Sequence, residues 1–120
     1  MAKKYLPKES EVENFRMLDQ LLDSVYSEMK EFSKKKPDEP LNAFKVKNVN
    51  RLLIQIKESL RNEPTIEFLD LLDDESLPTN SDAILVIGQF KASMTRYRGK
   101  YTNSSRRWTT EENPKGDIIY

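Results

Sequence analysis

Cysteine and histidine are both absent from this 120-residue chain, and glycine occurs only three times. Without cysteine there is no disulfide, no thiol nucleophile and no thiolate metal site. Without histidine the chain lacks the commonest general base and the commonest metal ligand. The three glycines are too few and too scattered to form a P-loop or a dinucleotide-binding loop. We therefore expect a non-enzymatic protein with no catalytic residues, no metal and no cofactor.

Long apolar runs are also missing. The nearest is residues 83–87, whereas a bilayer-crossing helix needs about 20 apolar residues. The first eight residues are charged and contain no stretch long enough for a signal peptide, so we interpret residues 1–8 as a flexible N-terminal arm. These features predict a soluble, cytoplasmic protein that does not contact a membrane.

The length and composition fit a single folded domain. The chain is 37% hydrophobic and 33% charged, which is enough for one core beneath a highly charged surface. We predict a helical domain over residues 9–101 and a C-terminal tail over residues 102–120, because the tail is rich in polar and turn-forming residues and lacks periodicity.

Apolar residues recur in steps of three and four over most of the chain, which predicts an all-α fold. We expect a compact bundle of about four helices with a flexible C-terminal tail, the helices covering residues 9–35, 41–62, 65–74 and 81–101. Ser10 and Glu13 have the spacing of a capping box at the start of the first helix. The short link from Pro37 to Pro40 predicts antiparallel packing of the first two helices.

The last helix has two competing interpretations. Its apolar seam fits a heptad repeat and comprises Ala83, Ile87, Phe90, Met94, Tyr97 and Tyr101. Residues 83–88 are also typical of a buried strand, because the run is apolar and partly β-branched. We favour the helix, since the periodicity continues beyond Gly88, and we interpret the seam as core rather than as an intermolecular coiled coil.

The charges cancel overall, 20 cations against 20 carboxylates, but they are sorted along the chain. Residues 63–90 contain seven carboxylates and no Lys or Arg, and residues 83–110 contain six cations and no carboxylate. The candidate acidic patch is Glu67, Asp70, Asp73, Asp74 and Glu75. The candidate partner-binding or nucleic-acid-binding residues are Lys91, Arg96, Arg98, Lys100, Arg106, Arg107 and Trp108. Since no supporting ligands or EF-hand glycine accompany the carboxylates, we interpret them as a solvated face rather than a metal site.

The sorted charges lead to two functional hypotheses. The first is a protein-protein interaction module, a small adaptor, inhibitor or accessory subunit, that presents charged helical faces to a protein partner. The second is an accessory subunit that binds nucleic acid through the basic last helix and tail, where aromatic rings could stack on bases. Overall neutrality counts against the second hypothesis. The sequence leaves the oligomeric state open.

Two questions about contacts within the chain also stay open at this point. Trp108 could dock in a groove of a partner or fold back on its own domain. The acidic and basic runs could also pair with each other as an internal latch. A latch predicts that Asp73, Asp74 or Glu75 lies close to a basic side chain of the last helix or tail.

Overall fold

The computed structural model describes residues 5–118. This part of the chain forms three α-helices and one short 3₁₀-helix, without a β-strand. The helices are α1 (Glu9–Lys35), α2 (Ala43–Ser59), the 3₁₀-helix Pro64–Phe68 and α3 (Asn80–Lys100). The predicted all-α class is therefore confirmed, and the predicted count of about four α-helices is one too many.

The predicted α-helix at residues 65–74 is the element that is wrong. Only the 3₁₀-helix Pro64–Phe68 forms there, and an irregular segment follows it. The Asn50 side chain accepts a hydrogen bond from the Leu72 N–H at 2.9 Å and donates to the Leu72 carbonyl at 2.8 Å. These bonds replace a helical turn, and the three acidic residues that follow would oppose the dipole at a helix C-terminus.

Helix α1 packs against both α2 and α3. The C-terminal end of α1 meets the start of α3, where the Asn80 side chain donates to the Lys36 carbonyl at 2.9 Å. The start of α2 lies at the same end, because the Leu41 N–H donates to the Pro78 carbonyl at 2.8 Å. Both α2 and α3 are therefore antiparallel to α1, and the connection between them runs back along α2. The assembly is elongated, 50 × 29 × 19 Å.

The seam of the last helix is buried, which supports the helical interpretation of residues 83–88. All six seam residues belong to the core. The Thr79 side chain caps α3 by accepting a hydrogen bond from the Asp82 N–H at 3.1 Å. The predicted capping box of α1 is displaced, since its N-cap is Lys8 and the Glu11 carboxylate accepts from the Lys8 N–H at 3.3 Å.

The described part of the tail, residues 102–118, lies against the helices. Its first turn is closed by an antiparallel pair between Thr102 and Trp108, and the Glu111 N–H donates to the Pro7 carbonyl of the arm at 2.9 Å. Gly116 has a φ of 65°, and a Cβ there would lie 2.7 Å from Asn103 Nδ2, so glycine is required. The mobility we expect for arm and tail stays a prediction, and residues 1–4 and 119–120 lie outside the described range.

Candidate functional site

Two cations of the predicted basic surface tie α3 to α1. Lys91 forms an ion pair with Asp23, and its Nζ lies 5.0 Å from the centroid of the Tyr26 ring. Arg98 forms an ion pair with Asp19. Both α1 carboxylates lie outside the acidic run, so the charge sorting along the sequence did not indicate these pairs. Much of the basic charge of α3 is therefore neutralised within the fold.

A third cation, Lys100, lies beside a buried carboxylate. Glu63 is 3% exposed, and its carboxylate accepts hydrogen bonds from the Tyr101 hydroxyl at 2.8 Å and from Lys100 Nζ at 3.3 Å. Burial raises the pKa of the Tyr101 hydroxyl, and its hydrogen bond to Glu63 raises that pKa further. A buried carboxylate is tolerated only when it is hydrogen-bonded and paired. This contact joins the connection after α2 to the end of α3.

The remaining cations of the basic surface are more exposed. Arg96 is exposed and forms no ion pair within residues 5–118. Arg106 is exposed with a φ of 62°, in the left-handed region that few residues other than glycine adopt. The Arg107 Nε donates to the Gly116 carbonyl at 3.1 Å. The six predicted cations therefore do not form one continuous free surface.

Trp108 folds back on its own domain. Its ring centroid lies 5.4 Å from that of Phe15 and 6.1 Å from that of Tyr97. Tyr97 in turn stacks on Phe15 and makes an edge contact with Tyr101 at 4.7 Å. Tyr97, Tyr101 and Trp108 therefore pack in or against the core.

The acidic patch lies on the connection between α2 and α3. Glu67 belongs to the 3₁₀-helix, and the other four carboxylates follow in the irregular segment, so the patch is not the helical face that we predicted. We call residues 67–75 the acidic segment. All five carboxylates are exposed, and within residues 5–118 none forms an ion pair. The predicted latch of Asp73, Asp74 or Glu75 with α3 or the tail is therefore absent from this range.

The backbone of the acidic segment is held in place at several points. Leu69 and Leu72 are buried in the core, and Leu72 is fixed by Asn50 as described above. Asp73 Oδ1 accepts hydrogen bonds from the backbone N–H groups of Ser76 at 3.0 Å and Glu75 at 2.9 Å. These two bonds lower the pKa of the Asp73 carboxyl. The segment therefore presents its carboxylates from a defined backbone.

Apolar side chains are exposed between these carboxylates. Phe68 is 67% exposed and Leu71 is 38% exposed, because the buried positions of this segment, Leu69 and Leu72, alternate with them. Exposed single hydrophobic residues are ordinary, although aromatic residues are enriched at protein interfaces. Periodicity led us to assign Phe68 and Leu71 to a helix, and therefore missed this exposure.

A second charged surface, which the sequence analysis missed, lies on α2. Residues 43–57 contain four cations and no carboxylate, a run as clear as the two that we singled out. Lys47 and Arg51 are exposed and have no ion pair within the described chain. Phe44 is 74% exposed and Ile54 is 50% exposed on the same helix.

The described residues contain no group of three or more carboxylates arranged to hold a metal ion. Among the helices of the same range, none has the length and apolar character that crossing a membrane would require. No protein-family model matches the sequence, and no curated protein or solved structure matches the chain.

Proposed function

We propose that this protein is a non-enzymatic protein-protein interaction module, a small adaptor, inhibitor or accessory subunit, whose binding surface is the acidic segment. The observation that carries the proposal is the exposed Phe68 ring among five carboxylates that have no cationic partner within residues 5–118. Because Leu69 and Leu72 anchor the segment in the core, little conformational entropy would be lost when a partner binds.

The chemistry of the acidic segment defines the partner. A field of one sign attracts and orients the opposite sign, so the partner presents lysine or arginine. Phe68 and Leu71 supply the apolar contacts that contribute most of the energy at the centre of an interface. The best fit is therefore a basic protein surface with an apolar depression for the Phe68 ring.

The nucleic-acid hypothesis has weaker support. Binding to phosphates depends on free cations, whereas Lys91, Arg98 and Lys100 each lie against a carboxylate of the same chain. Base stacking needs accessible rings, whereas Tyr97 and Tyr101 are buried. Arg96 and Arg106 remain exposed, and a salt-sensitive complex with labelled single strands would favour this alternative.

Affinity capture from the native host, followed by quantitative mass spectrometry, tests the proposal. The test variant is Asp70→Asn/Asp74→Asn/Glu75→Gln, which leaves Asp73 intact because its carboxylate holds the local backbone. The matched control removes three exposed carboxylates elsewhere, by Glu13→Gln/Glu28→Gln/Asp38→Asn. We expect the wild type and the control to recover the same protein partner, and the test variant to recover about tenfold less. Equal recovery by all three proteins would contradict the proposal.

A further inference from the structure

The outward face of α2 carries a stripe that no other part of residues 5–118 covers. Phe44, Lys47, Arg51 and Ile54 follow one another in steps of three, four and three, which places them along one side of the helix. All four are exposed. The buried residues of α2 lie on the opposite side and include Val46, Val49, Leu53 and Ile56. The stripe therefore has an apolar residue at each end and two cations between them.

The acidic segment lies beside this stripe and runs in the opposite direction. Asn50, which precedes Arg51 on α2, holds Leu72 through both of its backbone groups. The connection starts after the C-terminal end of α2 and returns to its N-terminal end, where the Leu41 N–H donates to the Pro78 carbonyl at 2.8 Å. One continuous surface of the protein therefore carries a basic stripe and an acidic segment side by side.

The two parts of this surface each combine charges of one sign with apolar side chains. Each part presents two exposed apolar side chains together with its charges.

We propose that the α2 stripe of one chain binds the acidic segment of a second copy, so that the protein forms a two-fold symmetric dimer. The inference rests on the proposed function and names the basic partner of the acidic segment. A two-fold axis between the two parts places each acidic segment on the other chain's α2 stripe, and makes the surface self-complementary. Lys47 and Arg51 then face carboxylates, and Phe44 and Ile54 lie where Phe68 and Leu71 can pack.

Other self-pairings are less favourable for electrostatic reasons. Two α2 stripes placed face to face would bring Lys47 and Arg51 against the same cations of the second copy. Two acidic segments placed face to face would oppose five carboxylates to five. Within one chain both parts face outward, and residues 5–118 contain no ion pair between them. The crossed arrangement is the one that pairs opposite charges twice.

Analytical ultracentrifugation of the full chain and of charge-reversed variants tests the dimer. We expect the wild type to dimerise reversibly. The dimer should weaken between about 0.01 M and about 1 M salt, over which the Debye length falls from about 30 Å to about 3 Å. Lys47→Glu/Arg51→Glu and Asp70→Lys/Asp74→Lys should each weaken self-association at least about tenfold. A mixture of these two variants should form a heterodimer, because one crossed contact keeps its wild-type charges and the other places the introduced glutamates opposite the introduced lysines.

The control is Arg16→Glu/Lys30→Glu on α1, which changes the same number of charges and should leave the dimer intact. Circular dichroism verifies that each variant is folded. If Lys47→Glu/Arg51→Glu does not fold, the neutral variant Lys47→Gln/Arg51→Gln replaces it. A wild type that stays monomeric at every concentration would overturn the dimer. So would a mixture of two folded reversed variants that fails to associate. If the wild type is monomeric while capture of a different protein still depends on the acidic segment, the dimer is wrong and the proposed function stands.

Discussion

Replacing Tyr101 by phenylalanine tests the contact that joins the acidic run to the end of α3. The phenyl ring keeps its contacts with Tyr97 at 4.7 Å and Tyr5 at 5.6 Å, so the change removes little apolar packing. It does remove the hydroxyl that donates to Glu63 at 2.8 Å. Glu63 is 3% exposed, so solvent cannot replace that donor, and only Lys100 Nζ at 3.3 Å remains.

The expected cost follows from the charge on the acceptor. A hydrogen bond to a charged group contributes about 1.5–3 kcal/mol, so we expect Tyr101→Phe to lower the free energy of unfolding by about 2 kcal/mol. For a chain of this size each kcal/mol corresponds to about 4 °C, which gives a fall in Tm of about 8 °C. Such a loss is a substantial part of a total stability of about 5–15 kcal/mol.

Urea unfolding followed by circular dichroism measures this cost in two backgrounds. In Glu63→Gln the acceptor is neutral, so the cost of adding Tyr101→Phe should fall to about 1 kcal/mol. Tyr5→Phe serves as the control, because the Tyr5 hydroxyl bonds to Glu11 at 3.0 Å in a half-buried setting, where solvent can replace the lost donor, so its loss should cost less than the loss of the Tyr101 hydroxyl. Equal costs in the two backgrounds, or a Tyr101→Phe protein as stable as the wild type, would refute the reasoning.

Two further predictions concern the aromatic cluster around Tyr97. Trp108→Ala should lower the free energy of unfolding by about 3 kcal/mol, because the indole packs against Phe15 and Tyr97. Urea unfolding followed by circular dichroism measures this loss. An unchanged urea midpoint would mean that the Trp108 ring does not pack on the core. Burial raises the pKa of both the Tyr97 and the Tyr101 hydroxyl. The stability that these protonated hydroxyls contribute is therefore complete below about pH 10, the ordinary pKa of tyrosine. It is lost as the pH rises through the higher pKa values of the folded state. The phenolate absorbance of Tyr97 and Tyr101 should therefore appear together with unfolding, and its appearance near pH 10 in the folded protein would contradict this.

Much of the fold could be predicted from the sequence where one stripe of apolar residues continues over several turns. The seam from Ala83 to Tyr101 is such a case, and every seam residue is buried. The third predicted helix is wrong, because Leu69 and Leu72 have helical spacing but belong to an irregular segment in which both are buried. The Asn50 side chain holds the Leu72 backbone, and a contact between residues 22 apart is not visible in local periodicity.

The candidate surfaces were only partly predictable. The acidic residues, which we interpreted as a solvated helical face, are exposed, but most of them lie on an irregular segment. The fate of the basic residues was not visible, because their partners Asp19 and Asp23 lie on α1, far away in sequence. Trp108 was left undecided, because a single aromatic residue in a polar segment has no periodicity to indicate which surface it packs against.

The most direct test of the acidic segment as a binding surface is the unfolding free energy of Asp70→Asn/Asp74→Asn/Glu75→Gln at low ionic strength. It is measured at a protein concentration at which the wild type is monomeric, because dimerisation would itself stabilise the folded chain. We expect this variant to be as stable as the wild type or more stable, because the change removes three like charges that pair with no cation of residues 5–118. A decrease of more than about 1 kcal/mol in the free energy of unfolding that disappears at high salt would contradict this interpretation of the acidic segment. Such a loss would mean that these carboxylates stabilise their own fold instead of remaining available to a partner.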